Sequence, residues 1–364
     1  MDSTAETEGV ASRDHRAWPF AVQSPESALR RMSRPSGLRL VPTAPSPREA
    51  SQPRKSSFAN KRLRTLADSA RRVSAVAFSD YLQLMKLRID ALLLLVAAAG
   101  FVATSGAAAD LPRFGLLMTA GLLGAAGASA TNHYLDRDLD AVMRRTRTRP
   151  LPQHRIEPPA HALAFGVGLI GLSLAIAGFG LNLLTAAMIG LGYAIYVGVY
   201  TIGLKRTHVS NIVIGGLAGS CPALAGSAAA ANSISLPAVL IAVLVFLWTP
   251  GHFWALAYRG REDYRRAHLP MLPAVWDDRG SVIAIAGSTA IAALASIAFI
   301  WTSAFDAVYL IVAIGSSAVL LGLTVKFLAH PSPETAWAGY RFSGIYLAAI
   351  LIGMMADAIL RIPL

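Results

Sequence analysis

The chain is 364 residues long, 54% hydrophobic and only 15% charged, yet Lys+Arg 33 against Asp+Glu 21 leave a net charge of +12. A soluble domain needs about 25% charged residues to cover its surface, so the deficit excludes an ordinary water-soluble enzyme. The apolar excess equally excludes a largely disordered chain, and a single cysteine, Cys221, excludes an intramolecular disulfide and any multi-cysteine metal centre.

Residues 1–78 read as a basic tail rich in Ser, Pro and Arg, with Pro25, Pro35, Pro42, Pro45, Pro47 and Pro53 along it. It contains no apolar run long enough for a signal-peptide core. Its composition predicts disorder and fits a cytoplasmic extension resting near anionic lipid, or a mitochondrial transit peptide. Asp2, Glu6 and Glu8 count against the transit peptide.

From residue 79 onward the pattern predicts an all-α polytopic membrane domain, 79–364, with nine transmembrane helices around a central cavity. Residues 91–109 and 114–135 each match one helix of about 20 apolar residues, the length a bilayer core requires. The uncharged stretch 162–204 is too long for one span and divides near Gly178, Gly180 and Asn182. The stretch 209–258 divides likewise near Asn232, Ser233 and Ser235, and 280–305, 307–325 and 342–356 give three more spans. Small residues such as Gly124, Gly127, Gly215, Gly216 and Gly219 suit close helix packing in lipid.

The loops give sidedness. Of 19 Lys/Arg after position 80, 17 border the N-terminus or the loops after spans 2, 4, 6 and 8, leaving Arg113 and Arg361 opposite. The positive-inside rule places the N-terminus in the cytoplasm and the C-terminus outside. The plasma membrane fits this, the mitochondrial inner membrane being the alternative.

The acids gather on the same rim. Asn132, Asp136 and Asp140 recur every four residues at the end of span 2, so a helix stacks three oxygen ligands along one stripe. Hard oxygen donors at a membrane edge suit Mg2+, which favours few carboxylates plus phosphate oxygens. Asp138 falls on another face and reads as solvated. After span 6, Glu262 and Asp263 could add ligands, and Lys205-Arg206 lies between the two acidic segments as a diphosphate-binding pair.

These segments resemble the UbiA-type intramembrane prenyltransferases, a nine-helix superfamily with two Asp-rich motifs that bind magnesium and an isoprenyl diphosphate. Within it, several stretches are similar to the protohaem IX farnesyltransferase branch. They are Asn132 to Met143 with Arg145 to Pro152, Leu204-Lys-Arg-Thr207, Asn211 to Gly216, Thr249 to Leu256, and Asp263-Tyr264 with Leu269 to Pro273. The likeness covers roughly Tyr81 to Leu364. Leu87, Gly251, Ala223 and the pair Gln153-His154 depart from the family's usual residues, and none of them is a proposed ligand.

The resemblance implies transfer of a farnesyl group from farnesyl diphosphate to a vinyl group of haem b, giving haem O and diphosphate. It assigns Mg2+ to Asn132, Asp136, Asp140 and Asp263, with Lys205 and Arg206 also catalytic. Arg145, Arg149, Lys86, Tyr200 and His252 are the expected substrate-binding residues. Tyr193, Tyr196 and Tyr200 approximate a helical stripe suited to an isoprenoid, while His133 and His208 are weaker haem-contact candidates. Asp357 reads as a hydrogen-bonded structural residue, and Pro250 as a kink in span 6. The expected partners are the lipid bilayer and a haem-A-forming enzyme or terminal-oxidase assembly factors, with no nucleic acid. Prenyl transfer to a quinone precursor or other aromatic acceptor is the alternative within the class, and a membrane transporter the alternative outside it.

Overall fold

The computed structural model describes residues 78–361. The tail expected over residues 1–78 therefore lies, but for Phe78, outside the described residues. Among those residues nine helices are long and apolar enough to cross a membrane. They are α1 (Leu87–Ala108), α2 (Leu111–Leu135), α3 (Ala160–Gly180), α4 (Leu183–Leu204), α5 (Asn211–Ala231), α6 (Leu236–Arg259), α7 (Asp278–Thr302), α8 (Ala307–Ala329) and α9 (Pro333–Leu360). A helix of two turns over residues 78–85 precedes them, and short helices Arg137–Val142, Arg261–Arg266 and Leu272–Val275 lie in the loops.

The helices overrun the charge-free windows. α9 takes in Glu334 and Arg341, which the window 342–356 left out, and α1 begins four residues before Ala91. A charge-free run measures the hydrocarbon crossed, whereas the helix continues into the headgroup layer, where charged side chains reach water. Polar caps set several starts: Asn182, Ser235, Asp277 and Ser332 each accept a backbone N–H from the first turn of their helix. α6 runs unbroken through Pro250.

Packing rests on backbone-to-backbone approach. A Cβ on Gly226 of α5 would sit 2.1 Å from the Ala97 carbonyl oxygen of α1, and one on Gly100 would sit 2.1 Å from that of Ala223. α2 and α3 meet the same way, with Gly127 at 2.8 Å from the Gly166 oxygen. Only glycine permits these contacts, and van der Waals packing replaces the hydrophobic drive that lipid removes. A larger apolar cluster joins α1, α6, α7, α8 and α9 through Val96, Trp248, Tyr309, Tyr346 and Leu351. Large side chains such as Phe179, Leu183 and Trp301 face outward, as a lipid-facing surface requires.

Side-chain bonds tie each membrane face together. On one face Arg155 of the α2–α3 loop grips buried Asp80 at 2.5 Å, and Lys205 of the α4–α5 loop reaches Asp136 at the end of α2. On the other, Arg113 bonds the Ala229 carbonyl at 3.0 Å. There Asp357 of α9 accepts the backbone N–H groups of Asp306 (2.7 Å) and Tyr309 (3.1 Å), capping α8 from a neighbouring helix. Asp357 is thus the structural residue its position suggested. Asp357→Ala would leave two backbone donors, that of Tyr309 fully buried, without their acceptor. It should destabilise the folded protein by about 2–4 kcal/mol, read as a fall in the thermal midpoint in detergent.

Candidate active site

The site grows from the end of α2. Asp136 closes that helix and opens the short helix Arg137–Val142, yet the helical bonds persist across the junction: Asp136 N–H to Asn132 O at 2.9 Å and Asp140 N–H to Asp136 O at 2.8 Å. The four-residue spacing therefore keeps Asn132, Asp136 and Asp140 on one stripe. All three are at most 4% exposed, whereas the Asp138 side chain is 61% exposed.

Cations from three other segments converge on this stripe. Lys86, the residue before α1, donates to Asn132 Oδ1 at 2.8 Å. Lys205 donates to Asp136 Oδ2, which also accepts from Asn132 Nδ2 at 2.6 Å. Arg149 bonds both oxygens of Asp140 at 2.8 and 2.9 Å. Burial, with Arg149 and Lys205 acting in the same direction, pushes the Lys86 ammonium down to about 7, opposed by Asp140 and Asp136. An incoming anion would favour its charged form.

α4 widens into a π-helix over Ala194–Leu204, a geometry common at functional sites. It stacks Tyr196 on Tyr200 with ring centroids 5.8 Å apart, orients Thr201 toward Asn132 at 3.1 Å, and delivers Lys205 to the stripe. Tyr193, higher on the same helix, bonds Thr131 at 3.3 Å. Arg145 makes no ion pair among the described residues and lies near enough for its charge to act on Tyr200.

The second acidic segment is adjacent but separate. Asp263 is held by Arg266, and among the described residues no hydrogen bond or ion pair joins it to the first stripe. An apolar cluster containing Met143, Tyr264, Leu269 and Met271, with Leu139 and Tyr200 packed against it, links the two segments. The four expected ligands are therefore not a closed cage, and no group of three or more His, Cys, Asp or Glu able to hold a metal forms among the described residues. The donors still fit magnesium. Asp136 Oδ1 is buried with no hydrogen-bond partner, and Mg2+ draws much of its coordination from phosphate oxygens and water.

Arg206 stands apart from the other cations. Its guanidinium forks onto Asp138 at 2.7 and 2.8 Å and bonds the Leu135 carbonyl, on the exposed rim. This pairing holds the Asp138 carboxyl below its ordinary value and raises Arg206. Arg206→Gln should reduce transfer only a few-fold, as exposed pairs contribute about 0–1 kcal/mol. Lys205→Gln should reduce it about 100-fold or more, because it removes a charge from the site itself. Initial rates of the two variants check this directly.

His252 sits deeper on α6, sandwiched between Trp248 (4.1 Å) and Tyr340 (4.4 Å). Its Nδ1 lies 2.6 Å from Ser343 Oγ, whose hydroxyl is 2.8 Å from the Tyr340 carbonyl. The row of rings continues through Trp337 to Arg259, whose guanidinium lies 4.3 Å from the Trp337 ring centre at the rim. His133 is buried beside the stripe with neither ring nitrogen bonded, while His208 is exposed. Sequence reasoning passed over Thr201, the Asp80–Arg155 clamp and Asp90. The last falls one residue before the charge-free run, and its signal was the four-residue spacing from Lys86.

The UbiA prenyltransferase family matches residues 93–348. The chain is 40% identical over 289 residues to protoheme IX farnesyltransferase 1 of Cenarchaeum symbiosum (strain A), covering 78% of this chain and 97% of that protein. It is 42% identical over 240 residues to protoheme IX farnesyltransferase of Desulforudis audaxviator (strain MP104C), covering 66% and 75%. The fold also matches a digeranylgeranylglyceryl phosphate synthase (TM-score 0.65, 20% identity, 78% of this chain and 98% of that one). A UbiA homologue from Archaeoglobus fulgidus bound to DMAPP and Mg2+ aligns with a TM-score of 0.56 at 19% identity, over 76% of this chain and 99% of that one. The matched span takes in the stripe at the end of α2, Lys205 and the loop that carries Asp263, and on that ground the chain belongs to the UbiA prenyltransferase family.

Proposed function

We propose that this chain transfers the farnesyl group of farnesyl diphosphate to a vinyl group of haem b, releasing diphosphate and forming haem O for haem–copper oxidase assembly. The carrying observation is Asp136. One of its oxygens is shared by Lys205 and Asn132, and the other is buried and unpartnered, beneath a ring of cations at the membrane rim. That arrangement suits a diphosphate bound through a divalent metal, and the relatives' names supply farnesyl and haem. A transporter would place its acids near the bilayer midplane; here the stripe lies at the helix ends.

Asn132, Asp136, Asp140 and Asp263 would hold Mg2+. The metal supplies charge neutralisation for the diphosphate leaving group. Lys86, Lys205, Arg145 and Arg149 bind and orient that group, and their charges favour departure of its oxygen. The stacked Tyr196 and Tyr200 rings present π-faces to the allylic carbon, attracting positive charge as it develops. The apolar spans exclude water until the new carbon–carbon bond forms. The rings of Trp248, His252, Tyr340 and Trp337 would offer haem b an apolar wall, and Arg259 at the end of that row would offer a propionate its counter-charge.

The membrane is the plasma membrane, with the basic loops after α2, α4, α6 and α8 in the cytoplasm. Membranes carrying the protein, given haem b and farnesyl diphosphate, should yield haem O with Mg2+ and none after chelation by EDTA, resolved by pigment chromatography. An aromatic quinone precursor prenylated in place of haem would overturn the acceptor, and product formation undiminished by EDTA would overturn the metal.

A further inference from the structure

Making a hydroxylated product from an allylic cation requires opposite treatments of water. Bulk water must be kept from the cation, yet one molecule must reach the haem side chain afterwards. In an apolar cavity a single water is held by buried polar groups that lack a protein partner.

Asp90 is such a group. It lies in the first turn of α1, is 1% exposed, and neither carboxylate oxygen has a hydrogen-bond partner. The other buried carboxylates among the described residues are all engaged: Asp80 by Arg155, Asp136 by Lys205, Asp140 by Arg149, and Asp357 by two backbone N–H groups. Burying a carboxylate with no hydrogen-bond partner is strongly unfavourable, and the charge of Lys86, one turn away, is what offsets it. Asp90 shares a helix face with Lys86, one turn before it, whose ammonium reaches Asn132. Four residues of helix place Asp90 about 6 Å further into the membrane than Lys86. Ala97 and Phe101, further along that face, pack against Ala225 and Ala229 of α5, so the face points into the bundle.

We propose that Asp90 holds the water that hydrates the farnesylated haem and accepts its proton, an inference that rests on the haem-farnesylating reading above. The farnesyl C1–O bond breaks, its electron pair leaving with diphosphate. The vinyl π electrons form the bond from the terminal vinyl carbon to farnesyl C1, which leaves a cation on the carbon attached to the pyrrole. The water oxygen bonds to that carbon while its proton passes to the Asp90 carboxylate, later leaving with diphosphate through the rim. No oxidant or reductant enters. Without the carboxylate the cation can instead lose a proton from the neighbouring carbon, giving a farnesylated haem lighter by one water.

The test is the product ratio made by the full-length protein in membrane vesicles with haem b, farnesyl diphosphate and Mg2+, read by mass spectrometry. In Asp90→Asn the ratio of haem O to dehydrated farnesylated haem should fall about 100-fold, the usual scale of a lost general base. Farnesyl diphosphate should still be consumed, and Asp90→Glu should restore the hydrated product. Should the amide variant not insert, Asp90→Ser reads the same ratio. An unchanged ratio in a variant without the carboxylate overturns the proposal. So does loss of every product in Asp90→Asn and Asp90→Glu alike while both still bind farnesyl diphosphate. Wild-type protein that makes no farnesylated haem refutes the underlying reading instead.

Discussion

Asp136→Asn should reduce haem farnesylation by about 1,000-fold or more while leaving the amount of protein in the membrane unchanged. The substitution keeps the side chain's shape but replaces one acceptor by a donor. Asn132 Nδ2 and Lys205 both donate to Asp136 Oδ2, so an amide cannot satisfy both and also present a charged oxygen to a metal. Removing one preorganised electrostatic contact from a reaction centre typically lowers the rate by about 100- to 1,000-fold. Asp136 loses two such roles at once, as ligand and as the anchor that aims Lys205. Asp138→Asn, two residues away on the exposed rim, is the matched control and should stay within a few-fold of wild type, because its partner Arg206 is already on the rim. Haem O formed per unit of inserted protein is the measurement. Substantial activity in Asp136→Asn would remove Asp136 from the site.

The helical spacing explains why so much of this site could be read in advance. Asn132, Asp136 and Asp140 needed only the period of a helix to share a face, and their backbone bonds keep it. The nine spans among the described residues followed from hydrocarbon length, a property of the solvent more than of the fold. What stayed hidden depends on contacts between segments far apart in the chain. Lys205 and Arg206 are indistinguishable as neighbours in a basic pair. The wider turns of the π-helix bring Lys205 to Asp136, and the next residue then emerges on the other side to meet Asp138. The tyrosine stripe was legible by spacing, but its stacking on that π-helix was not. Asp263 could be placed on the correct face, yet its local pairing with Arg266 is a property of its own short helix. Asp90 was legible only as a charge at a span's edge; that it is buried without a partner depends on which helices enclose α1.

The close approach of α1 and α5 is where a change far from the chemistry should matter most. Gly226→Ala places a methyl carbon 2.1 Å from the Ala97 carbonyl oxygen and 2.6 Å from the Phe101 nitrogen. Both obstacles are backbone, so no rotamer change relieves them and the two helices must move apart. Overpacking of this kind destabilises by about 1–3 kcal/mol and sometimes more, and the upper end applies because neither neighbour can yield. Gly168→Ala and Gly171→Ala on α3, which meet nothing within 4 Å, should leave the thermal midpoint in detergent unchanged. The separation also reaches the site. α1 carries Asp90 and follows directly from Lys86, while α5 presents Gly215 to the Tyr200 ring and Gly216 to Thr249. Moving α1 off α5 should therefore pull the Lys86 ammonium away from Asn132. Whatever Gly226→Ala protein remains folded should then bind farnesyl diphosphate more weakly, by about 10-fold, the equivalent of one lost charge-assisted hydrogen bond. A midpoint that falls with substrate affinity intact would show instead that α1 can shift as a rigid piece without disturbing the cations at its end.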